Sequence, residues 1–321
     1  MRALLLALVP AGVAWAGMVG PEACRPCHRG EYETQSRSRH SRALRPILES
    51  PLPALLAGAP IRERSGVAFE YRPGKDVLVA IINRGTAQLA VNLEWAFGAG
   101  AQAYTPVGRR GGRYFEHRVS YYTSASRPGR TLGHPGEPSR SLESAIGIPQ
   151  DAVTISRCFD CHATGVRPGP DLGTMRPGVT CDRCHGDVGA HLARTGPMAG
   201  PIAALSRLDA AASVELCAQC HRSAPASDDA FTIRFQPVGL MASRCFRQSG
   251  RLSCVTCHNP HEDARHDPDF YAAKCLGCHA SGEGRPGCGR AEGRDCLPCH
   301  MQRRSPAEFL TFTDHHIRVY R

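Results

Sequence analysis

Hydrophobic and polar positions alternate over residues 66–125, which include the segments VAFEYRPGKDVLVAII, TAQLAVNLEWAF and GRYFEHRVSYYTS. Such alternation, with many Val, Ile, Tyr and Phe residues, is typical of half-buried β-strands. The segment Arg72-Pro73-Gly74-Lys75 favours a type II turn, and glycines at 98–100 and 108–112 interrupt the pattern again. We therefore predict a β-rich module over residues 60–150, inserted between two regions that lack this alternation.

A short apolar run lies at the N-terminus. It follows Arg2, reads ALLLALVPAGVAWA, and ends with the small residues Ala14 and Ala16. A charged start, a short apolar stretch and an A-x-A site are the features of a secretory signal peptide. We predict cleavage near Ala16 and a periplasmic or otherwise exported protein, with an uncleaved anchor as the alternative. No later stretch approaches 18 apolar residues, so no transmembrane anchor is expected after cleavage.

The cysteines carry the strongest chemical signal, because fourteen of the sixteen lie in seven copies of C-x-x-C-H. In this motif the two thiols bond covalently to the vinyl groups of haem, and the histidine is the proximal iron ligand. Structural zinc and disulfides also use closely spaced cysteines, but neither explains a histidine after every pair. We therefore predict seven covalently attached copies of haem c.

The predicted thioether positions are Cys24, Cys27, Cys158, Cys161, Cys181, Cys184, Cys217, Cys220, Cys254, Cys257, Cys275, Cys278, Cys296 and Cys299. The predicted proximal ligands are His28, His162, His185, His221, His258, His279 and His300.

Eight other histidines remain, close to the number that seven bis-histidine haems would need. His191 and His261 each follow a proximal histidine closely, and His40 follows the first motif on what is predicted to be one helix. We predict these three as distal ligands, together with one of the C-terminal pair His315 and His316. The other candidates are His134 and, less favoured, His117 and His266, with Met175, Met198, Met241 and Met301 as alternatives.

The motifs are unevenly spread, because the first stands alone and the other six share residues 158–321. That leaves too few residues for separate domains, so the haems must pack against one another and supply core that the 6% aromatic content does not. We predict a mainly α fold with long irregular segments wrapped round packed haems, plus the inserted β-rich module. The expected divisions are a signal peptide 1–16, a first haem segment 17–59, the module 60–150 and a six-haem domain 151–321.

The net charge bears on which partners the protein could bind. The formal charge is +10, which raises the possibility of a nucleic-acid partner. Haem propionates would offset this charge, and arginine, which greatly outnumbers lysine here, binds carboxylates through two parallel hydrogen bonds. We therefore predict no nucleic-acid partner.

Two cysteines lie outside the C-x-x-C-H motifs. Cys245 and Cys288 form either a disulfide or two separate thiols.

Several strings around the motifs are more specific than the motif itself. GVTCDRCHGDVGAH, LSCVTCHNPH, DCLPCHMQ followed by TDHHIR, and CRPCHRGEYETQSRSRHSRA resemble the multihaem c-type cytochrome superfamily. That group includes the nitrifiers' tetrahaem carrier and the octahaem oxidoreductases. The resemblance implies distal roles for His40, His191, His261 and, rather than His316, His315. It also supports pairing Cys245 with Cys288. The C-x-x-C-K motif of the pentahaem nitrite reductases is absent from the sequence.

Two functions follow from these features. The first is an electron carrier that passes single electrons between redox partner proteins through closely packed, mostly bis-histidine haems. The alternative is an oxidoreductase whose substrate, a small nitrogen or sulfur species, binds an iron that lacks a distal ligand. If His117, His134 and His266 are not ligands, up to three haems lack a distal histidine, and His134 or an arginine would be the proton or charge partner. No catalytic residue is assigned.

Overall fold

A computed structural model describes residues 19–58, 60–166, 175–186, 188–193, 205–222, 230–279 and 295–320. The predicted signal peptide, Met198 and Cys288 lie outside the described residues. Across the described ranges, every helix is too short or too polar to cross a lipid bilayer.

Strands are concentrated between residues 44 and 149. They are β1 (Leu44–Pro46), β2 (Ile61–Arg62), β3 (Ala68–Pro73), β4 (Leu78–Arg84), β5 (Ala87–Phe97), β6 (Ala103–Arg110), β7 (Arg113–His117), β8 (Val119–Tyr122), β9 (Arg127–Arg130), β10 (Gly147–Pro149), β11 (Ala163–Thr164), β12 (Arg176–Pro177), β13 (Arg303–Ala307) and β14 (Leu310–Thr313).

The first ten strands form one antiparallel sheet in the order β10-β7-β6-β5-β4-β3-β2, to which β1, β8 and β9 add at the sides. β5 pairs with different strands along its length. Its first part, Ala87–Leu93, pairs with β4, and its end, Trp95–Phe97, pairs with β1. β6 divides in the same way between β7 and β8. Strands that change partners along their length give the sheet its curl.

Two hairpin turns explain where the alternation breaks. Gly111 and Gly112 both have positive φ, 56° and 77°, and join β6 to β7 in a two-residue turn of the kind that favours glycine. The turn between β3 and β4 is closed by a 2.8 Å hydrogen bond from Gly74 N to Val77 O. It therefore lies after Pro73, which still pairs with Leu78, and the turn predicted over residues 72–75 was placed too early.

The sheet encloses an apolar core. Its fully buried members include Phe69, Leu78, Ile82 and Leu93, and the short helices at Leu52–Leu55 and Leu142–Ile146 pack against it. The buried positions of β4 alternate with half-buried ones, because successive side chains of a strand point to opposite faces of the sheet. This core needs no cofactor to complete it.

The helices are short. They are α1 (Arg29–Gln35), α2 (Leu52–Leu55), α3 (Leu142–Ile146), α4 (Ala152–His162), α5 (Cys181–His185), α6 (Gly189–Ala193), α7 (Ala210–His221), α8 (Gln236–Ala242), α9 (Arg244–Ser249), α10 (Cys254–Cys257), α11 (Pro268–His279) and α12 (Leu297–His300). The 3-10 turns are Pro21–Ala23, Ile47–Glu49, Leu205–Arg207 and Ala230–Arg234.

Six of these helices carry a C-x-x-C-H motif. α4, α7 and α11 end at the motif's histidine, whereas α5, α10 and α12 contain little besides the motif. Aspartates cap two of the long ones: Asp151 accepts from Thr154 N at 2.7 Å and Asp209 from Ala212 N at 2.8 Å. The helix predicted from the first motif to His40 ends at Gln35, because serines 36, 38 and 41 bond the backbone in turns instead.

The prediction of a mainly α fold is wrong. Of the described residues, about 36% are helical and 26% are in strands, and the strands form a large curled antiparallel sheet. The sheet extends beyond the alternating region by taking in β1 and β10, and two small hairpins, β11–β12 and β13–β14, lie among the motifs. Strands therefore make up too large a share of the fold for it to be mainly α.

Leu93 tests how far the sheet's core stabilises the molecule. Leu93→Ala removes a fully buried side chain and is expected to lower the free energy of unfolding by about 2 to 5 kcal/mol. Val153→Ala, at a residue 70% exposed, is the control, with a change below about 0.5 kcal/mol. Denaturant titration followed by far-ultraviolet circular dichroism measures both. Equal effects of the two substitutions would contradict this description of the core.

Candidate haem-binding sites

The C-x-x-C-H motifs adopt helical geometry. In the motifs that start at Cys24, Cys254 and Cys296, the histidine N–H donates to the carbonyl of the first cysteine over 2.8, 2.9 and 3.1 Å. Positions i, i+3 and i+4 of a helix share one face, so both sulfurs and the imidazole point the same way. The motif cysteines are exposed or half-buried. Each motif thus presents the three attachment groups of haem c together.

Four proximal histidines each face one of the predicted distal histidines. The ring centres are 6.4 Å apart for His28 and His191, 6.1 Å for His40 and His221, 6.1 Å for His185 and His261, and 6.2 Å for His258 and His315. The four partners come from four different places in the sequence. All four that the resemblance implies as distal ligands are in these pairs.

These separations match the geometry of a six-coordinate iron. A metal bound between two imidazoles at about 2 Å from each nitrogen holds the nitrogens about 4 Å apart. Adding the distance from nitrogen to ring centre at both ends gives about 6 Å between the rings. The four centroid separations, 6.1 to 6.4 Å, are close to this value.

Hydrogen bonds fix the tautomers of several rings. The Nδ1 atoms of His162 and His315 lie 2.9 Å from the carbonyl oxygens of Ala43 and Thr313, and that of His40 lies 3.2 Å from the carbonyl of Pro260. A carbonyl only accepts, so Nδ1 carries the proton and Nε2 keeps its lone pair for a metal. Burial lowers the pKa of His315 to about 4, which favours the neutral, metal-binding form.

Asp263 joins two segments that carry predicted distal histidines. Asp263 accepts from Arg39 N at 2.6 Å and from the Arg42 guanidinium at 3.4 Å. This contact joins the turns around His40 to the segment that contains His261. His40 and His261 are therefore positioned by the same contact, although they are far apart in the sequence.

The C-terminal segment is held against α8. Ser243 Oγ accepts from Ile317 N at 2.7 Å and lies 3.1 Å from the carbonyl of His315. A Cβ added at Gly239 would lie 2.7 Å from His316 N, so glycine permits this close approach. The result is that His315 is directed to His258, whereas His316 N bonds Asp314 at 2.9 Å.

His117 and His134 both lie in the sheet region. His117 is fully buried, and its two ring nitrogens lie 2.9 Å from the Tyr71 hydroxyl and 2.7 Å from the Ile146 carbonyl, so no lone pair is left for iron. Burial lowers its pKa to about 4. His134, a predicted ligand, instead places Nε2 3.2 Å from the Glu116 carboxylate, and across the described residues it meets no proximal histidine. The less favoured candidate His266 is exposed.

His162, His279 and His300 have no second histidine in ring contact within the described ranges. Of the three, His162 is the most enclosed: its ring contacts Phe97 at 5.2 Å, and burial lowers its pKa. Phe159 on α4 packs against Trp95, Phe97 and Tyr114 of the sheet with ring centres 5.1 to 5.8 Å apart. The sheet therefore packs against the helix that carries the Cys158 motif.

The motifs also contact one another. The thiols of four cysteine pairs lie close enough to shift each other's pKa: Cys24 with Cys181, Cys161 with Cys220, Cys217 with Cys254, and Cys275 with Cys296. α10 packs against both α7 and α11, and α11 packs against α12. The motifs beginning at Cys217, Cys254, Cys275 and Cys296 therefore follow one another in space in sequence order. Cys245 lies near Cys278, and its predicted pairing with Cys288 falls outside the described residues.

Several residues that build the sites carry no recognisable sequence signal. The carbonyls of Ala43, Pro260 and Thr313 orient imidazoles through the backbone, which any residue could supply. Asp263 and Gly239 act only through the tertiary fold. The short segment between His258 and His261 was the one local signal that could have pointed to Asp263.

Comparison with known proteins agrees with this geometry. The family model for cytochrome c554 and c-prime matches residues 130–186, which contain the motifs at Cys158 and Cys181. No curated protein matches the chain. The crystal structure of the outer cell wall cytochrome OcwA is similar in fold, with a TM-score of 0.55 and 14% identity over 94% of this chain and 79% of that one. The predicted resemblance to multihaem c-type cytochromes is thereby confirmed. The family match covers two C-x-x-C-H motifs, and the likeness to OcwA shows a shared fold.

Proposed function

We propose that the chain binds seven haem c groups, one at each C-x-x-C-H motif, and carries single electrons between redox partner proteins. Haem iron supplies reversible one-electron chemistry when it is bound. The observation that carries the proposal is the set of four histidine pairs with ring centres 6.1 to 6.4 Å apart. Each pair joins the histidine of a C-x-x-C-H motif to one of the four histidines that the resemblance implies as distal ligands.

The four pairs support one proposed distal ligand for each of four haems. His191 serves the motif of His28, His40 that of His221, His261 that of His185, and His315 that of His258. Each distal histidine comes from a different segment than the motif it serves, so the pairs also fasten the fold together. Contacts between the motifs favour electron exchange because they keep the bound groups close.

The chain is proposed to act outside the cytoplasm. The N-terminal apolar run with its A-x-A site supports export. The fold likeness to an outer cell wall cytochrome agrees with such a location. Periplasmic or cell-surface partners would then supply and accept the electrons.

The number of haems is tested by intact mass and a pyridine haemochrome assay on protein matured in its host. We expect seven haem masses above the mass of the processed polypeptide. A Cys275→Ala/Cys278→Ala variant is the matched control and should retain six. An unmodified chain, or one with bound zinc, would overturn the proposal.

The C-terminal pair offers a sharp test of ligand assignment. His315→Ala should convert one low-spin haem to a high-spin form that binds carbon monoxide when reduced, because His315 faces His258 across 6.2 Å. His316→Ala is the adjacent control and should leave the spin state unchanged. Electron paramagnetic resonance and carbon monoxide difference spectra measure both. The reverse pattern would assign the ligand to His316 instead.

A second candidate function has one observation in its favour. His162 is enclosed by the sheet and lacks a histidine opposite among the described residues. Near His162, burial and the negative charge of Glu116 raise the pKa of the Cys158 thiol, and the positive charge of Arg222 lowers it. Glu116 also contacts His134. Such a site could bind a small nitrogen or sulfur species, with the Glu116–His134 pair exchanging a proton.

Ligand binding distinguishes the enzyme from the carrier. If the site at His162 accepts a substrate, hydroxylamine or nitrite should shift the Soret band of the native protein. A Cys158→Ala/Cys161→Ala variant should lose that shift and keep the bis-histidine spectrum. Native protein that binds none of these molecules would leave only the carrier.

A further inference from the structure

Arg183 lies where three motifs meet. It is the residue before Cys184 in the motif that begins at Cys181. Its Nη2 atom is 3.4 Å from Oδ2 of Asp160, which belongs to the Cys158 motif. The same atom is 3.9 Å from the sulfur of Cys220, which belongs to the Cys217 motif. One guanidinium therefore contacts two motifs besides its own.

The charge of Arg183 also reaches one sulfur of each motif. It acts electrostatically on the thiols of Cys161, Cys184 and Cys220. Two of these sulfurs, those of Cys161 and Cys220, also lie close enough to shift each other's pKa. Because each sulfur is a predicted attachment point, Arg183 lies beside three predicted haem-attachment sites.

This positive charge is only partly neutralised by the protein. The Arg183 side chain is 23% exposed, and its buried Nε has no hydrogen-bond partner within the described residues. Its carboxylate partner Asp160 is 54% exposed, so solvent weakens that pair. An arginine never loses its proton at physiological pH. Asp160 therefore does not fully offset the positive charge of Arg183.

We propose that Arg183 is a shared potential-setting residue, whose charge raises the reduction potentials of the haems at the Cys158, Cys181 and Cys217 motifs together. The inference rests on the proposed haem attachment. A nearby positive charge stabilises the state with one more electron, and the effect is larger away from water. Asp160, with the opposite charge at the same junction, lowers the same potentials.

The consequence concerns where electrons reside. With Arg183 charged, each of the three haems at the junction would accept an electron more readily than it would without this arginine. The three potentials would therefore change together when the charge is removed.

Substitutions of both charges test the proposal by the sign of the shift. In a spectroelectrochemical titration of the holoprotein, Arg183→Gln should move part of the titration, about three of the seven components, to lower potential. Arg183→Lys keeps the charge and should stay near the wild-type curve. Asp160→Asn should shift the same components upward, and this variant keeps the test valid if Arg183→Gln does not mature.

Arg29→Gln is the matched control. Arg29 also adjoins a motif, directly after His28, but it is 77% exposed and paired with Glu33. Solvent screens such a charge, so the titration should be unchanged. An unshifted Arg183→Gln curve, an equal shift in Arg183→Lys, or a downward shift in Asp160→Asn would overturn the inference. A haemochrome assay on each variant separates this outcome from a failure of haem attachment itself.

Discussion

Paired imidazoles about 6 Å apart are the constraint on which the rest of the molecule depends. Each of the four pairs joins a motif to a histidine from another segment, and those segments span the chain from His28 to His315. The proposed iron between the two histidines of a pair would cross-link their segments, as a disulfide cross-links two loops. A fold with few aromatic residues and many short helices can then be stable, because bound groups supply both core and cross-links.

The sheet has a different basis for its stability and a specific place beside the motifs. Its core is apolar and complete, with Leu78, Ile82 and Leu93 fully buried. It contacts the motif region mainly through α4, where Phe159 packs against three aromatic rings of β5 and β7. The motif with the most enclosed proximal histidine is therefore the one held by a rigid wall. This arrangement favours a distinct role for that site.

The sequence predicted the strands better than the overall architecture. Strands over residues 66–125 agree with β3 to β8, since alternation is a direct consequence of one buried face. The mainly α fold was wrong because strands make up too large a share of the fold, and because segments without alternation, such as β1 and β10, join the sheet through backbone pairing. The partner of each distal histidine could not be predicted, since Asp263, Gly239 and Ser243 act through tertiary contacts alone. The role of His134 as a ligand stays a prediction, and its neighbour Glu116 is close to it only in the folded sheet.

Near-infrared magnetic circular dichroism of the oxidised native protein tests the central claim most directly, because its charge-transfer bands identify the axial ligands of ferric haem. The account predicts bis-histidine intensity equivalent to at least four haems, with the remainder in other ligation states. Intensity for fewer than four bis-histidine haems would contradict the assignment of the four histidine pairs.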